Sequence, residues 1–231
     1  MSSNEHHVAL PPAIFGIGRN YAEHAAELNN AVPDRLLVFM KNPSSVIGDS
    51  VPIVIPSICH DPQPQVDYEG ELAMIIGAPA RDVSVRDAMS HIAGYAIAND
   101  VSARWWQKNG SGGQFVRGKS FDTFCPMGPM VKADAVADPQ NLEIITRLNG
   151  AIVQQASTST MIVGVREIVA ELSRGMTLAT GTVILTGTPA GVGAGQTPPR
   201  FLKHGDVITI TITGLGTLEN PVHDAAHPAS S

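Results

Sequence analysis

Apolar residues along this chain fall into short blocks that run unbroken or alternate with polar ones, the signature of strands. The blocks "AIFGIG" (13–18), "LLVFMK" (36–41), "VPIVIP" (51–56), "IAGYAIAND" (92–100), "TVILTG" (182–187) and "DVITITITG" (206–214) each predict a strand. "LEIITRLNGAIVQQ" (142–155) predicts a hairpin turning at Asn149-Gly150, because both central residues of its turn need a left-handed backbone. Helical spacing is rarer. "NYAEHAAELNN" (20–30) predicts a helix with Asn20 and Glu23 spaced as a reciprocal cap. Ser84 and Asp87 suit a cap for a short helix through His91, "SARWWQK" a helical turn, and "REIVAELSRG" an amphipathic helix closed by Gly175. Many strands and few short helices, without regular strand–helix alternation or an internal repeat, predict an α+β, β-rich mixed fold. The expected division is a flexible leader over 1–12, one domain over 13–223 and a tail over 224–231.

One block breaks the pattern. "VDYEGELAMIIG" (66–77) reads as a buried strand, yet it carries Asp67, Glu69 and Glu71 at every second position. Strand alternation sends these three to one face, and Val66, Tyr68, Leu72, Met74 and Ile76 to the other. Carboxylates so close repel unless water screens them or a cation sits between them. Asp100 closes a neighbouring apolar block, where a further ligand would complete a site for a hard divalent cation. A solvated acidic face on an edge strand is the alternative, and the pattern alone leaves both open.

Composition narrows the partners. The 231 residues fit one large domain, 43% apolar and 16% charged, with a formal net charge of −6, no basic patch and no apolar run long enough to span a bilayer. Nucleic acid and anionic membranes are thereby excluded as main partners. Two lone cysteines without a secretion signal predict reduced thiols in a cytoplasmic protein, and neither lies in a CxxC zinc motif.

His24 and Glu27 lie three apart, on one face of the predicted first helix; a glutamate there fixes a histidine tautomer and raises its basicity, as a general base requires. An exposed helix pair is the plainer reading. Lys41 and Lys119 stand in apolar or glycine-bracketed settings that suit pairing with an anionic substrate, or they are ordinary surface cations. "GIGRNYA" lacks the full dinucleotide-binding glycine spacing, and "GTPAGVGAG" lacks the GK[ST] of a phosphate loop. Their glycines read as turn-formers, the second loop offering backbone N–H groups to a carboxylate.

Taken in order, "GIGRNYAEHAAE", "FMKNPSS", "DYEGELAMIIG", "NDVSARWWQ", "RGKSFDTFCPMGP", "LNGAIVQ" and "ILTGTPAGVG" resemble the fumarylacetoacetate hydrolase family, from Ile14 to about Val222. The likeness is greatest to the short fumarylacetoacetate hydrolase domain-containing proteins. It implies a β-roll-like fold, a homodimer, and a Mg²⁺ or Mn²⁺ site made by Glu69, Glu71 and Asp100. It implies His24 and Glu27 as a water-activating pair on a lid helix and Lys119 as a further catalytic group. Arg19, Lys41, Arg104, Gln107 and Thr188 fall to the substrate. In one respect the chain departs from the family: Trp105 and Trp106 follow "SAR", where an acid is usual, so either a cation changes partner or the pocket wall changes shape.

The activity implied first is metal-dependent hydrolysis of a C–C bond in a 2,4-dioxo acid, as in aromatic catabolism. His24 takes a proton from water, and the resulting enolate is stabilised by the metal and Lys119. Oxaloacetate decarboxylation, or isomerisation of the 2-hydroxyhepta-2,4-diene-1,7-dioate type, passes through the same enolate and is the alternative. A binding protein that retains the metal site, or a structural subunit with a solvated acidic face, are the rivals from other classes.

Overall fold

The computed structural model describes residues 10–226. The first half of the chain forms β1 (Ile14–Gly18), α1 (Ala22–Glu27), β2 (Leu37–Lys41), β3 (Val46–Ile47), β4 (Ile53–Ile55), β5 (Val66–Asp67), β6 (Gly70–Ile76), β7 (Ile92–Asn99), β8 (Ser102–Ala103) and α2 (Arg104–Lys108). The second half forms β9 (Cys125–Pro126), β10 (Val131–Lys132), β11 (Glu143–Leu148), β12 (Ala151–Ser157), α3 (Val165–Ser173), β13 (Val183–Leu185), β14 (Val207–Ile212) and β15 (Gly216–Asp224). This is the expected β-rich α+β fold. The expected leader lies mostly outside the described residues, as do 227–231 of the expected tail, and the last strand reaches one residue past 223 because Asp224 pairs with Ile55.

Two sheets carry the molecule. The larger runs β10-β7-β6-β13-β1-β2 and the smaller β12-β11-β14-β15-β4. Leu72, Met74 and Ile97 of the larger sheet join Ile144, Ile208 and Ile210 of the smaller in one core. The opposite face of the larger sheet packs Ala73, Ala96 and Ala98 with Ile14, Val183 and Cys125. Burial of each large side chain such as Leu72 contributes about 1.5–3 kcal/mol. The hairpin between β11 and β12 turns at Asn149 (φ 53°) and Gly150 (φ 81°), as its sequence requires.

Three local expectations are corrected. The acid-bearing strand does not run unbroken: Asp67 pairs with Ser102, whereas Gly70 begins a separate ladder opposite Asn99. At the jog between them the Asn99 side chain accepts from the Glu69 N–H at 2.9 Å, and the Asp100 N–H donates to the Glu69 carbonyl at 2.9 Å. Helix α1 starts one residue later, with Tyr21 at its cap position and no side-chain cap. Asn20 instead donates to the carbonyls of Val163 and Thr186 and accepts from the Val163 N–H. The helix through His91 is a single 3₁₀ turn, Ala88–His91, preceded by the expected Ser84–Asp87 pair at 2.7 Å. Among the described residues no helix is long and apolar enough to cross a membrane.

Candidate active site

Glu71 lies on β6, Glu69 in the jog before it, and Asp100 directly after β7, opposite Glu69. Two antiparallel strands and one break thus bring three buried carboxylates together, with one oxygen of each within 4.8 Å of the others. The solvated-face alternative fails on burial, since Glu69, Glu71 and Asp100 are at most 5% exposed.

Asp67 does not join them. Its Oδ1 accepts from the N–H groups of Gly193 (2.7 Å) and Tyr68 (2.9 Å), and its Oδ2 from Arg104 Nε (2.8 Å) and the Ala194 N–H (3.0 Å). The glycine loop after β13 does offer backbone donors to carboxylates, and the recipients are the chain's own acids. The Gly187 N–H reaches Glu71 Oε2 at 2.7 Å and the Gly191 N–H reaches Glu27 Oε2 at 2.8 Å.

Cations close in from the other side. Lys119 Nζ donates to Glu69 Oε2 (2.8 Å), Asp100 Oδ2 (2.5 Å) and Ser102 Oγ (2.8 Å). Arg104 donates through Nη1 to Glu69 Oε1 at 2.5 Å and Gln107 Oε1 at 3.2 Å. Lys41 lies behind Asp100, bonded to its Oδ1 at 2.6 Å and to the Val101 carbonyl, and does not line the cavity expected to receive substrate. Burial pushes Glu69 up, but Lys119 and Arg104 outweigh it and hold the carboxyl below the usual range. Burial raises Glu71 well above that range, helped by repulsion from Asp100 and Glu69. Burial opposes the charge on Lys119, which Asp100 and Glu69 more than restore.

This donor set fits a hard dication. Glu71 is crowded by two like charges, the carboxylate oxygens suit Mg²⁺ or Mn²⁺, and three protein ligands leave coordination positions open. Glu69, Glu71 and Asp100 would be the residues to hold it.

His24 and Glu27 do form the expected pair, Nδ1 to Oε1 at 2.7 Å, with His24 buried. An ionised carboxylate only accepts, so Nδ1 carries the proton and Nε2 keeps its lone pair when the ring is neutral. Arg19, His24, Glu69, Glu71, Arg104, Gln107, Lys119 and Thr188 line one cavity of about 250 Å³. A larger groove of about 740 Å³ adjoins it at Ile17–Arg19 but holds none of the three clustered acids.

Trp105 and Trp106 do not line this cavity. They meet edge to face at 5.0 Å, and Trp106 packs on Phe121 and beneath the Arg117 guanidinium, 4.4 Å from the ring centroid. The Gln65 side chain accepts from both of their backbone N–H groups.

The sequence reading missed Gln154. From the smaller sheet it donates to Thr188 Oγ1 and to the Pro189 carbonyl, both at 2.8 Å, and accepts from the Gly70 N–H at 3.0 Å. Thr188 Oγ1 donates in turn to the Gly70 carbonyl at 3.0 Å. Its presence in the "LNGAIVQ" block was the available signal.

A mixed two-sheet fold here brings together a buried carboxylate triad that could hold a metal ion, and comparison with known proteins places the chain in a family. Residues 13–223 match the family model described as fumarylacetoacetate (FAA) hydrolase C-terminal. The chain belongs to the fumarylacetoacetate hydrolase family. It is 46% identical over 216 residues to the protein named oxaloacetate tautomerase fahd2, mitochondrial, of Xenopus laevis, covering 93% of this chain and 66% of that one. It is 45% identical over 212 residues to oxaloacetate tautomerase YisK of Bacillus subtilis, covering 90% and 69%. The chain therefore spans about two thirds of the length of these curated relatives. Among solved structures, a fumarylacetoacetate hydrolase from Exiguobacterium antarcticum superposes with a TM-score of 0.84 at 47% identity, covering 93% of this chain and 76% of that one. A 2-hydroxyhepta-2,4-diene-1,7-dioate isomerase from Mycobacterium marinum gives 0.81 at 43%, covering 94% and 77%.

Proposed function

We propose that this protein catalyses keto–enol proton transfer on a short 2-oxo acid of the oxaloacetate type. The observation that carries the proposal is His24, paired with Glu27, lining the same small cavity as Glu69 and Glu71, two acids of the buried triad. The names of the relatives support tautomerisation or isomerisation over the C–C hydrolysis that the sequence reading puts first. A cavity of about 250 Å³ lies below the ~300–1,000 Å³ of sites for drug-sized ligands, which suits a small acid.

A Mg²⁺ or Mn²⁺ ion held by Glu69, Glu71 and Asp100 would supply Lewis acidity to neighbouring oxo and carboxylate oxygens. The chain's own groups then divide the remaining work. His24 Nε2 accepts a proton from the carbon beside the oxo group of the keto form and delivers it to the enolate oxygen to give the enol, and the same transfers in reverse regenerate the keto form. Glu27 keeps the ring oriented and stabilises its charged form, and is itself held by the Gly191 N–H. Gln107 turns its oxygen to Arg104, which leaves its amide N–H groups for a substrate oxygen. Arg104 and Lys119 offset the negative charge of the floor acids where charge develops on the enolate. Tautomerisation requires no activated water and no bond broken between carbons.

The test follows the enol absorbance of oxaloacetate with Mg²⁺ or Mn²⁺, alongside acylpyruvate cleavage and CO₂ release. Faster enol–keto exchange that dominates the other two reactions is expected. Acylpyruvate cleavage at a higher kcat/KM would overturn the proposal.

A further inference from the structure

We propose that Arg19 and Lys108 form the subsite for the second carboxylate of a dicarboxylic 2-oxo acid, and so select diacids over monoacids. This rests on the oxo-acid reading above and names its substrate class.

Four cations line the cavity: Arg19, Arg104, Lys108 and Lys119. The two deep ones are engaged. Lys119 directs its ammonium at Glu69, Asp100 and Ser102, and Arg104 bridges Asp67, Glu69 and Gln107. By contrast, no ion pair joins Arg19 or Lys108 to a carboxylate among the described residues.

Charge balance separates the two ends of a diacid. With a dication bound and all four acids ionised, Asp67, Glu69, Glu71 and Asp100 stand against Lys41, Arg104, Lys119 and the ion, which leaves one positive charge in excess. That excess is enough for one carboxylate. A second carboxylate needs a cation elsewhere, and the apolar lining at Ile17, Phe39 and Phe115 provides none.

Position agrees with charge. Arg104, Gln107 and Lys108 occupy positions i, i+3 and i+4 of α2 and therefore share one face. The helix climbs about 6 Å from Arg104 at the buried floor to the exposed Lys108. Arg19 stands in the turn between β1 and α1 at φ 56°, a left-handed conformation unfavourable for a residue with a Cβ. That turn places a half-buried arginine in the lining of the same cavity as His24.

The test uses the Mn²⁺-loaded protein and two unreactive probes of matched skeleton, malate and lactate, titrated calorimetrically. Wild type should bind malate more tightly than lactate. Lys108→Gln and Arg19→Gln should each weaken malate by about tenfold, the loss of one charge-assisted hydrogen bond, and lactate by less than about twofold. Equal weakening of both probes, no change in either, or a wild type that binds malate no better than lactate would overturn the subsite. Retained malate selectivity without oxaloacetate tautomerisation would support the subsite and sink the catalytic proposal instead. Near-UV circular dichroism of both variants controls for folding.

Discussion

The two sheets solve different problems, and their sequences differ accordingly. In the smaller sheet β11 and β14 alternate buried and half-exposed residues, and the hydroxyls of Thr211 and Thr217 meet on its outer face. In the larger sheet β6 and β7 are buried almost throughout, because both faces are covered. All three acids of the cluster come from this doubly covered sheet or its ends, where low dielectric makes a charge costly alone and effective when paired. The half-solvated sheet acts as a buttress, touching the site through Gln154. Buried charge is sustained here by central strands that have no wet face.

Variants in order of expected effect test that division. Glu71→Gln should abolish stoichiometric Mn²⁺ uptake in calorimetry and lower turnover about a thousandfold, with chelation of the wild type giving a similar loss. In wild type, burial and the neighbouring acids favour the protonated form of Glu71, and metal entry competes with that proton. Mn²⁺ affinity should therefore rise with pH up to the raised carboxyl value and level off above it. The sign is opposite for the metal-free fold: a carboxyl raised on folding stabilises fully below its unfolded pKa, and this contribution is lost as pH rises through the folded value.

Next, Asp67→Asn leaves Arg104 without one of its two counter-charges. A drop of about 3–5 kcal/mol in urea-melt stability is expected, together with roughly 10–100-fold lower activity from a misaligned guanidinium. Within the buttress, Gln154→Leu strips partners from Gly70 and Thr188 and should destabilise by about 1–3 kcal/mol while metal uptake persists. Smallest of all, Thr217→Val on the exposed outer face should stay within about 0.5 kcal/mol by the same melt. A large effect there, or none at Gln154, would erase the distinction between the sheets.

Much of this was legible in sequence because much of it is local. Period-two alternation marks β11 and β14, and Asn149-Gly150 marks its turn, without reference to the rest of the chain. The i, i+3 spacing of His24 and Glu27 also survives folding, since a helix face is a local property. What failed depended on distant partners. Asn20 is spaced as a cap, but Val163 and Thr186 claim its side chain from more than a hundred residues away. Strand alternation set Asp67 beside Glu69 and Glu71, but the break that separates them depends on the Asn99 side chain. Lys41 has an apolar setting that suits a pocket as well as a buried counter-ion, and Asp100 decides between them. The strand Gly216–Asp224 carries Asn220 and Pro221, which disguise it until β4 and β14 are seen on its two sides.

The loop from Gly187 to Ala194 grips Glu71, Glu27 and Asp67 with main-chain amides rather than side chains. Its grip is thus encoded by length and backbone shape, with left-handed dihedrals at Gly187 and Gly191. Exchanges that spare those dihedrals, at Ala190 for instance, keep every amide in place. Removal of one residue slides three anchor points out of register together, so evolution can repaint this segment far more readily than resize it.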